Sequence, residues 1–179
     1  MKLSITMAKE AGEMAPIVLR GSYTDSIKKA AKMGYDAVEI HVNDPYSLDT
    51  ESILKTCEES GISVSTLGTG MGFVKDRLSF TDTDSSIRGK AVERISDHIA
   101  VAKKIGAMVI IGSMRGIIPD LNDYEKYEGY AIECTKKVME CAAKNEVVLV
   151  MEAINRYETN FINTVEEGME FLNKVTSSP

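Results

Sequence analysis

Long apolar runs, grouped basic residues and histidine are all scarce in this chain of 179 residues. No stretch approaches the roughly 18 consecutive apolar residues that cross a bilayer, so no membrane partner is expected. Met1 to Met7 alternates like a strand and lacks the apolar core of a secretory leader. Lys and Arg number 21 against 27 Asp and Glu, a net charge of −6. Phosphate backbones demand clustered cations, so no nucleic-acid partner is expected. Two histidines exclude a His-rich metal cluster. Cys57, Cys134 and Cys141 show no CxxC spacing and fall in helical patterns. Small buried thiols in a reducing compartment, the cytoplasm by default, are the expectation. With 44% hydrophobic and 27% charged residues, the composition is that of an ordinary globular domain.

What is present is a repeating beat. A helical stretch ends at Gly or Asn and an apolar, β-rich run follows at once. It occurs at Gly34-Tyr35-Asp36-Ala37-Val38-Glu39-Ile40, Gly61-Ile62-Ser63-Val64, Gly106-Ala107-Met108-Val109-Ile110-Ile111 and Asn145-Glu146-Val147-Val148-Leu149-Val150. Gly and Asn suit the left-handed residue that closes a helix, a conformation a Cβ opposes. Asn122 with Glu125 and Thr164 with Glu167 have the form of capping boxes. Asp49, and Thr83 or Asp84, are candidate caps for two more helices. Ile87, Ala91, Ile95, Ile99, Ala102 and Ile105 recur at helical spacing as one apolar stripe. The pattern predicts strands near 3–7, 36–42, 62–67, 107–112 and 146–153. Helices are predicted near 24–33, 49–60, 84–105, 123–144 and 164–175.

Val109-Ile110-Ile111 and Val147 to Met151 are continuous apolar runs, as expected of strands covered on both faces. Alternating strands and helices imply a parallel sheet with right-handed crossovers. A doubly wound open sheet and a (β/α)8 barrel both satisfy that pattern. The longer connections, 68–83 and 112–122, follow strands, the side on which both folds place their sites. Gly68-Thr69-Gly70-Met71-Gly72-Phe73 fails as a dinucleotide fingerprint, because Phe73 stands where a third Gly is needed. A flexible loop is expected there.

Chemistry concentrates after the last strand, in Met151-Glu152-Ala153-Ile154-Asn155-Arg156-Tyr157-Glu158. A carboxylate at the end of a buried apolar strand is costly unless something compensates it. Pairing with Arg156 or another cation would do so. Metal ligation or proton abstraction would also require a carboxylate held at a strand mouth.

The stretch from Glu152 to Phe161 resembles the fifth-strand motif of ketose 3-epimerases and sugar-phosphate isomerases/epimerases in the xylose-isomerase-like superfamily. Gly112-Ser113-Met114-Arg115-Gly116-Ile117-Ile118-Pro119 resembles the same group's fourth-strand loop, and Gly34 to Ile40 its second strand. The resemblance covers essentially the whole chain. It implies an α/β fold, a partial (β/α)8 TIM barrel of about five βα units with a parallel sheet, as a single domain over residues 1–179. It further implies Glu152 as ligand to a divalent metal (Mn, Co or Mg) and as acid/base group, with Glu158 contacting the sugar. The implied reaction is C3 epimerisation of a ketose or its phosphate through an enediolate. In the family an Asp, a His and a Glu from later strands complete the metal site. The expectation is therefore an N-terminal portion with an incomplete site, inactive by itself. Bare strand edges in such a portion invite pairing, and a homo-oligomer, dimer or tetramer, is expected.

His41 and Glu39 alternate in phase and should share one side of their strand. His41 is a candidate substrate contact, Glu39 a candidate structural anchor. Arg115 and Arg156 are candidates either for holding substrate oxygens or for structural pairing. His98, at the edge of the apolar stripe, is expected to have no role. Met7, Met71 and Met114 suit a pocket wall or core packing equally. Three rivals share the sequence features: an inosose-dehydratase-like enzyme, an abasic-site-endonuclease-like enzyme and an inactive half-barrel fragment. The acidic charge and two histidines disfavour the endonuclease.

Overall fold

The computed structural model describes residues 1–177, so the last two residues of the predicted 1–179 domain lie outside it. Six strands form one sheet: β1 (Ser4–Ala8), β2 (Leu19–Arg20), β3 (Ala37–His41), β4 (Ser63–Gly68), β5 (Met108–Ile111) and β6 (Leu149–Met151). Every pairing is parallel, in the order β2-β1-β3-β4-β5-β6. From β1 through β6, β2 aside, each strand lies beside its predecessor in sequence, with no reversal of direction across the sheet. A doubly wound fold needs such a reversal, so the order selects the barrel-type alternative.

Five predicted helices are present: α1 (Tyr23–Lys32), α2 (Thr50–Ser60), α4 (Ser85–Ile105), α5 (Tyr124–Asn145) and α6 (Val165–Ser177). Gly61 and Gly106 close α2 and α4 in the left-handed conformation, as the pattern requires. Asp49 and Asp84 cap their helices by accepting from the amides of Ser52 and Ser86. The predicted stripe on α4 is buried at Ala91, Ile95, Ile99, Ala102 and Ile105. Ile95→Ala there should cost about 2–5 kcal/mol, read as a lowered urea midpoint.

Four expectations are corrected. The two-residue β2 flanks β1; its brevity leaves no alternation to detect. Residues 70–76 form a further helix, α3 (Gly70–Asp76), where a flexible loop was expected. Its glycine is a packing requirement: a Cβ on Gly72 would lie 2.7 Å from Sδ of the buried Met114. Asn122 caps nothing as a box; Asp120 caps a 3-10 turn at Leu121–Asp123, and α5 starts at Tyr124 without a side-chain cap. At the end of α5 the left-handed residue is Glu146, not Asn145, whose amide bonds back to Cys141 O.

The helix-facing sides of the strands are sealed, with Met7, Val38, Ile40, Leu67 and Val109 inaccessible to solvent. The opposite side is open at its far end. Met108 is 37% exposed and Val148 60%, because no further strand lies across from β5 and β6 among the described residues. The described helices include none long and apolar enough to cross a membrane.

Candidate functional site

The C-terminal ends of β3 to β6 bring together Glu39, His41, Thr66 and Glu152, and two glycines make the gathering possible. The β3–β4 register slips between Val38 and Glu39: Val38 pairs with Val64 but Glu39 with Thr66, leaving Ser65 as the extra residue. Such a bulge re-aims the side chains that follow it. Thr66 Oγ1 consequently donates to Glu39 Oε2 at 2.7 Å, and Glu39 Oε1 lies 2.8 Å from His41 Nε2. Burial alone would raise the Glu39 carboxyl; the bonds from His41 and Thr66 outweigh it and hold it below its ordinary value. Glu39 and His41 thus share a face, as their alternation requires, and Glu39 is bonded at both oxygens.

At the next strand the pattern repeats with a different partner. Glu152 follows β6, and its amide still bonds to Ile111 O, so the backbone at this residue is fixed by the sheet. Its side chain extends over Gly112, where a Cβ would lie 2.6 Å from Glu152 Oε2. No ion pair or side-chain hydrogen bond engages this carboxylate among the described residues. Desolvation, then the like charge of Glu39, raises its pKa, while Arg115 and His41 oppose the rise. A carboxylate left with free oxygens and a raised pKa at a strand mouth is equipped to take a proton. Gly112→Ala should displace it: the Glu152 carboxyl 13C signal should shift with no change in urea m-value, since the cost of a crowded Cβ falls on the site.

The remaining predicted residues separate. Glu158 is exposed and accepts from Asn155 Nδ2, while Asn155 Oδ1 accepts from the Tyr157 amide, so Asn155 sets this turn. Glu158 also lines a cavity of about 190 Å3 with Phe73, Ser113, Ile117 and Ile154. Arg156 is exposed and its guanidinium lies 5.6 Å from the Tyr157 ring centre. It pairs with neither Glu152 nor Glu158 among the described residues. Met7 and Met114 are core residues, whereas Met71 lines a cleft shared with His41.

Arg115 takes the structural of the two alternatives its sequence leaves open. It is wholly buried, and its donors go to backbone: Nε to Phe161 O at 2.9 Å, Nη1 to Gly112 O at 3.0 Å and Nη2 to Ile162 O at 2.8 Å. Desolvation lowers it to about 10, against Glu152 and Glu167, which leaves it charged at neutral pH. It offers no surface to a substrate and instead sews the loop after β5 to the loop after β6. Asn160, which accepts from Ile118 N and donates to Ile118 O, and Thr159, which donates to Gly116 O, extend the seam. His98 is also buried, with its ring nitrogens 2.8 Å from Arg94 O and 3.1 Å from Val42 O. It ties α4 to the residue after His41, a structural part that sequence alone did not assign. Glu39 and Thr66 form a bonded pair only because of the bulge, which no local pattern announces.

The profile of the xylose isomerase-like TIM barrel family matches residues 27–179. A D-psicose 3-epimerase of Agrobacterium fabrum is 30% identical over 159 residues, covering 83% of this chain and 53% of that protein. An L-ribulose 3-epimerase of Methylomonas sp. is 27% identical over 152 residues, covering 84% and 52%. The chain spans about half the length of the curated relatives it matches. The crystal structure of a D-allulose 3-epimerase from Methylomonas sp. in complex with D-allulose superposes with a TM-score of 0.75 at 24% identity, over 98% of this chain and 59% of that one, a likeness of fold. With most of its length matched by the family profile and its strand order that of a barrel, the chain belongs to the xylose isomerase-like TIM barrel family.

Proposed function

We propose that the protein epimerises a ketose or ketose phosphate at the carbon beside its carbonyl, C3, with Glu152 as the proton-abstracting base. The observation that carries this is the free carboxylate over Gly112, raised in pKa and held at a parallel strand's end. The names of the relatives, ketose 3-epimerases acting on D-psicose and L-ribulose, supply the substrate class. Glu152 removes the proton on C3, the C–H electrons pass into the carbonyl, and an enediolate forms. Return of a proton to the opposite face inverts the carbon; return to the same face restores it. Glu158 and the exposed Arg156 stand on the rim as contacts for sugar oxygens.

A divalent cation would ease this step by polarising the carbonyl. Such an ion takes about six donors, and Glu152 supplies two oxygens at most. Among the described residues no three His, Cys, Asp or Glu side chains gather as it would need. The described residues do not by themselves fit a metal.

The test is solvent exchange. The protein as encoded, incubated in D2O with ketohexoses, ketopentoses and their phosphates, should place deuterium at C3 of one class and yield its epimer. Absence of label in every ketose would overturn the proposal.

A further inference from the structure

The Glu39–His41 pair has a free end that the proposed proton transfer does not use. Glu39 accepts with both oxygens, from Thr66 Oγ1 at 2.7 Å and from His41 Nε2 at 2.8 Å. An ionised carboxylate only accepts, so the proton on that side of the ring belongs to Nε2, and in the neutral imidazole Nδ1 is the acceptor. Nδ1 has no hydrogen-bond partner among the described residues. The ring is held against β4 at Gly68, where a Cβ would lie 2.6 Å from both Nδ1 and Cε1. Bulge, threonine, carboxylate and glycine thus combine to fix one imidazole in one orientation.

His41 lines a cleft of about 340 Å3. Lys9 and Lys75 on its wall are matched in number by Glu10 and Asp44, and Asn43 adds a neutral amide. A wall of balanced charge and many hydrogen-bonding groups suits a neutral polyhydroxy ligand better than an anion. We infer that Glu39 is a positioning residue that presents His41 Nδ1 as the acceptor for a hydroxyl of such a ligand. The inference rests on the proposed sugar substrate for its ligand class, but its test does not depend on turnover.

The chain contains two histidines, so side-chain 15N spectra of the protein are simple to assign with His41→Asn as reference. The wild type should show neutral His41 as the tautomer with Nε2 protonated and Nδ1 bare. Adding a ketohexose, or the corresponding unreactive alditol, should shift the His41 Nδ1 signal and leave His98 unmoved. Glu39→Ala should mix the tautomers and raise about tenfold the alditol concentration that half-shifts the His41 Nδ1 signal, the loss of one hydrogen bond to the ligand. Glu39→Gln, which keeps an oxygen acceptor, should recover that concentration to within about threefold of wild type. A wild-type ring protonated on Nδ1, a Nδ1 signal indifferent to saturating polyol, or an unchanged half-shift concentration in Glu39→Ala would each overturn the inference. A polyol-induced shift in a protein that never labels a ketose would uphold it while removing the proposed reaction. Labelling without any shift would do the reverse.

Discussion

Glu152→Gln should lower C3 deuterium incorporation by about 10^2–10^4-fold, the usual contribution of a positioned general base, while making the fold more stable. The two effects have one origin. In the folded protein the carboxyl is partly desolvated and faces the like charge of Glu39, so its pKa lies above the unfolded value. Ionising it therefore costs folding free energy. The cost is absent below the unfolded pKa, about 4.3 for Glu, grows as pH rises through that value, and is complete above the folded one. Gln keeps the shape over Gly112 and removes the charge. Its melting temperature should exceed wild type at neutral pH, and the advantage should vanish below pH ~4. A variant that lost exchange because it had unfolded would show the opposite. Unchanged exchange in a stabilised variant would remove Glu152 from the chemistry and leave it a surface acid.

The positions of strands and helices were legible wherever local chemistry decides them. Gly61 and Gly106 end helices for a reason confined to one residue, and the α4 stripe announces its buried face by spacing alone. What stayed hidden depends on contacts distant in sequence. Gly70 and Gly72 resemble loop residues until Met114 is seen packed where a Cβ on Gly72 would go. Gly68 and Gly112 carry no signal of their own; each is small because a side chain from the neighbouring strand crosses it. Glu152 was singled out by the strand-end argument and the resemblance, Glu158 by the resemblance alone; the first stands at the end of β6 and the second in the exposed turn that follows. Arg115 was ambiguous because a guanidinium suits a sugar oxygen and a backbone carbonyl equally well. Burial decided it.

Arg115→Met should destabilise the protein on the order of 2–4 kcal/mol. Methionine keeps much of the stem's volume, so the loss isolates the polar head. That head supplies the carbonyls of Gly112, Phe161 and Ile162, all buried in the seam between two loops. Phe161 O is left without its donor, at about 1–3 kcal/mol, while Gly112 O and Ile162 O keep the amides of Arg115 and Ile154 but lose their charged donor. Ile162 adds a second reason: it holds φ at +60°, a conformation a β-branched residue adopts only when its surroundings impose it. With Nη2 gone, the strand of chain from Ile154 to Ile162 loses a tether on a strained residue, and Glu158 lies within that span. Lysine should not rescue, because one ammonium cannot satisfy three carbonyls in a fixed fork. The expected record is a lowered urea midpoint for Arg115→Met and Arg115→Lys alike, with new proteolytic cleavage between residues 154 and 162. A substrate contact would give a different signature, a raised KM in a protein as stable as wild type, and that result would return Arg115 from the seam to the binding site.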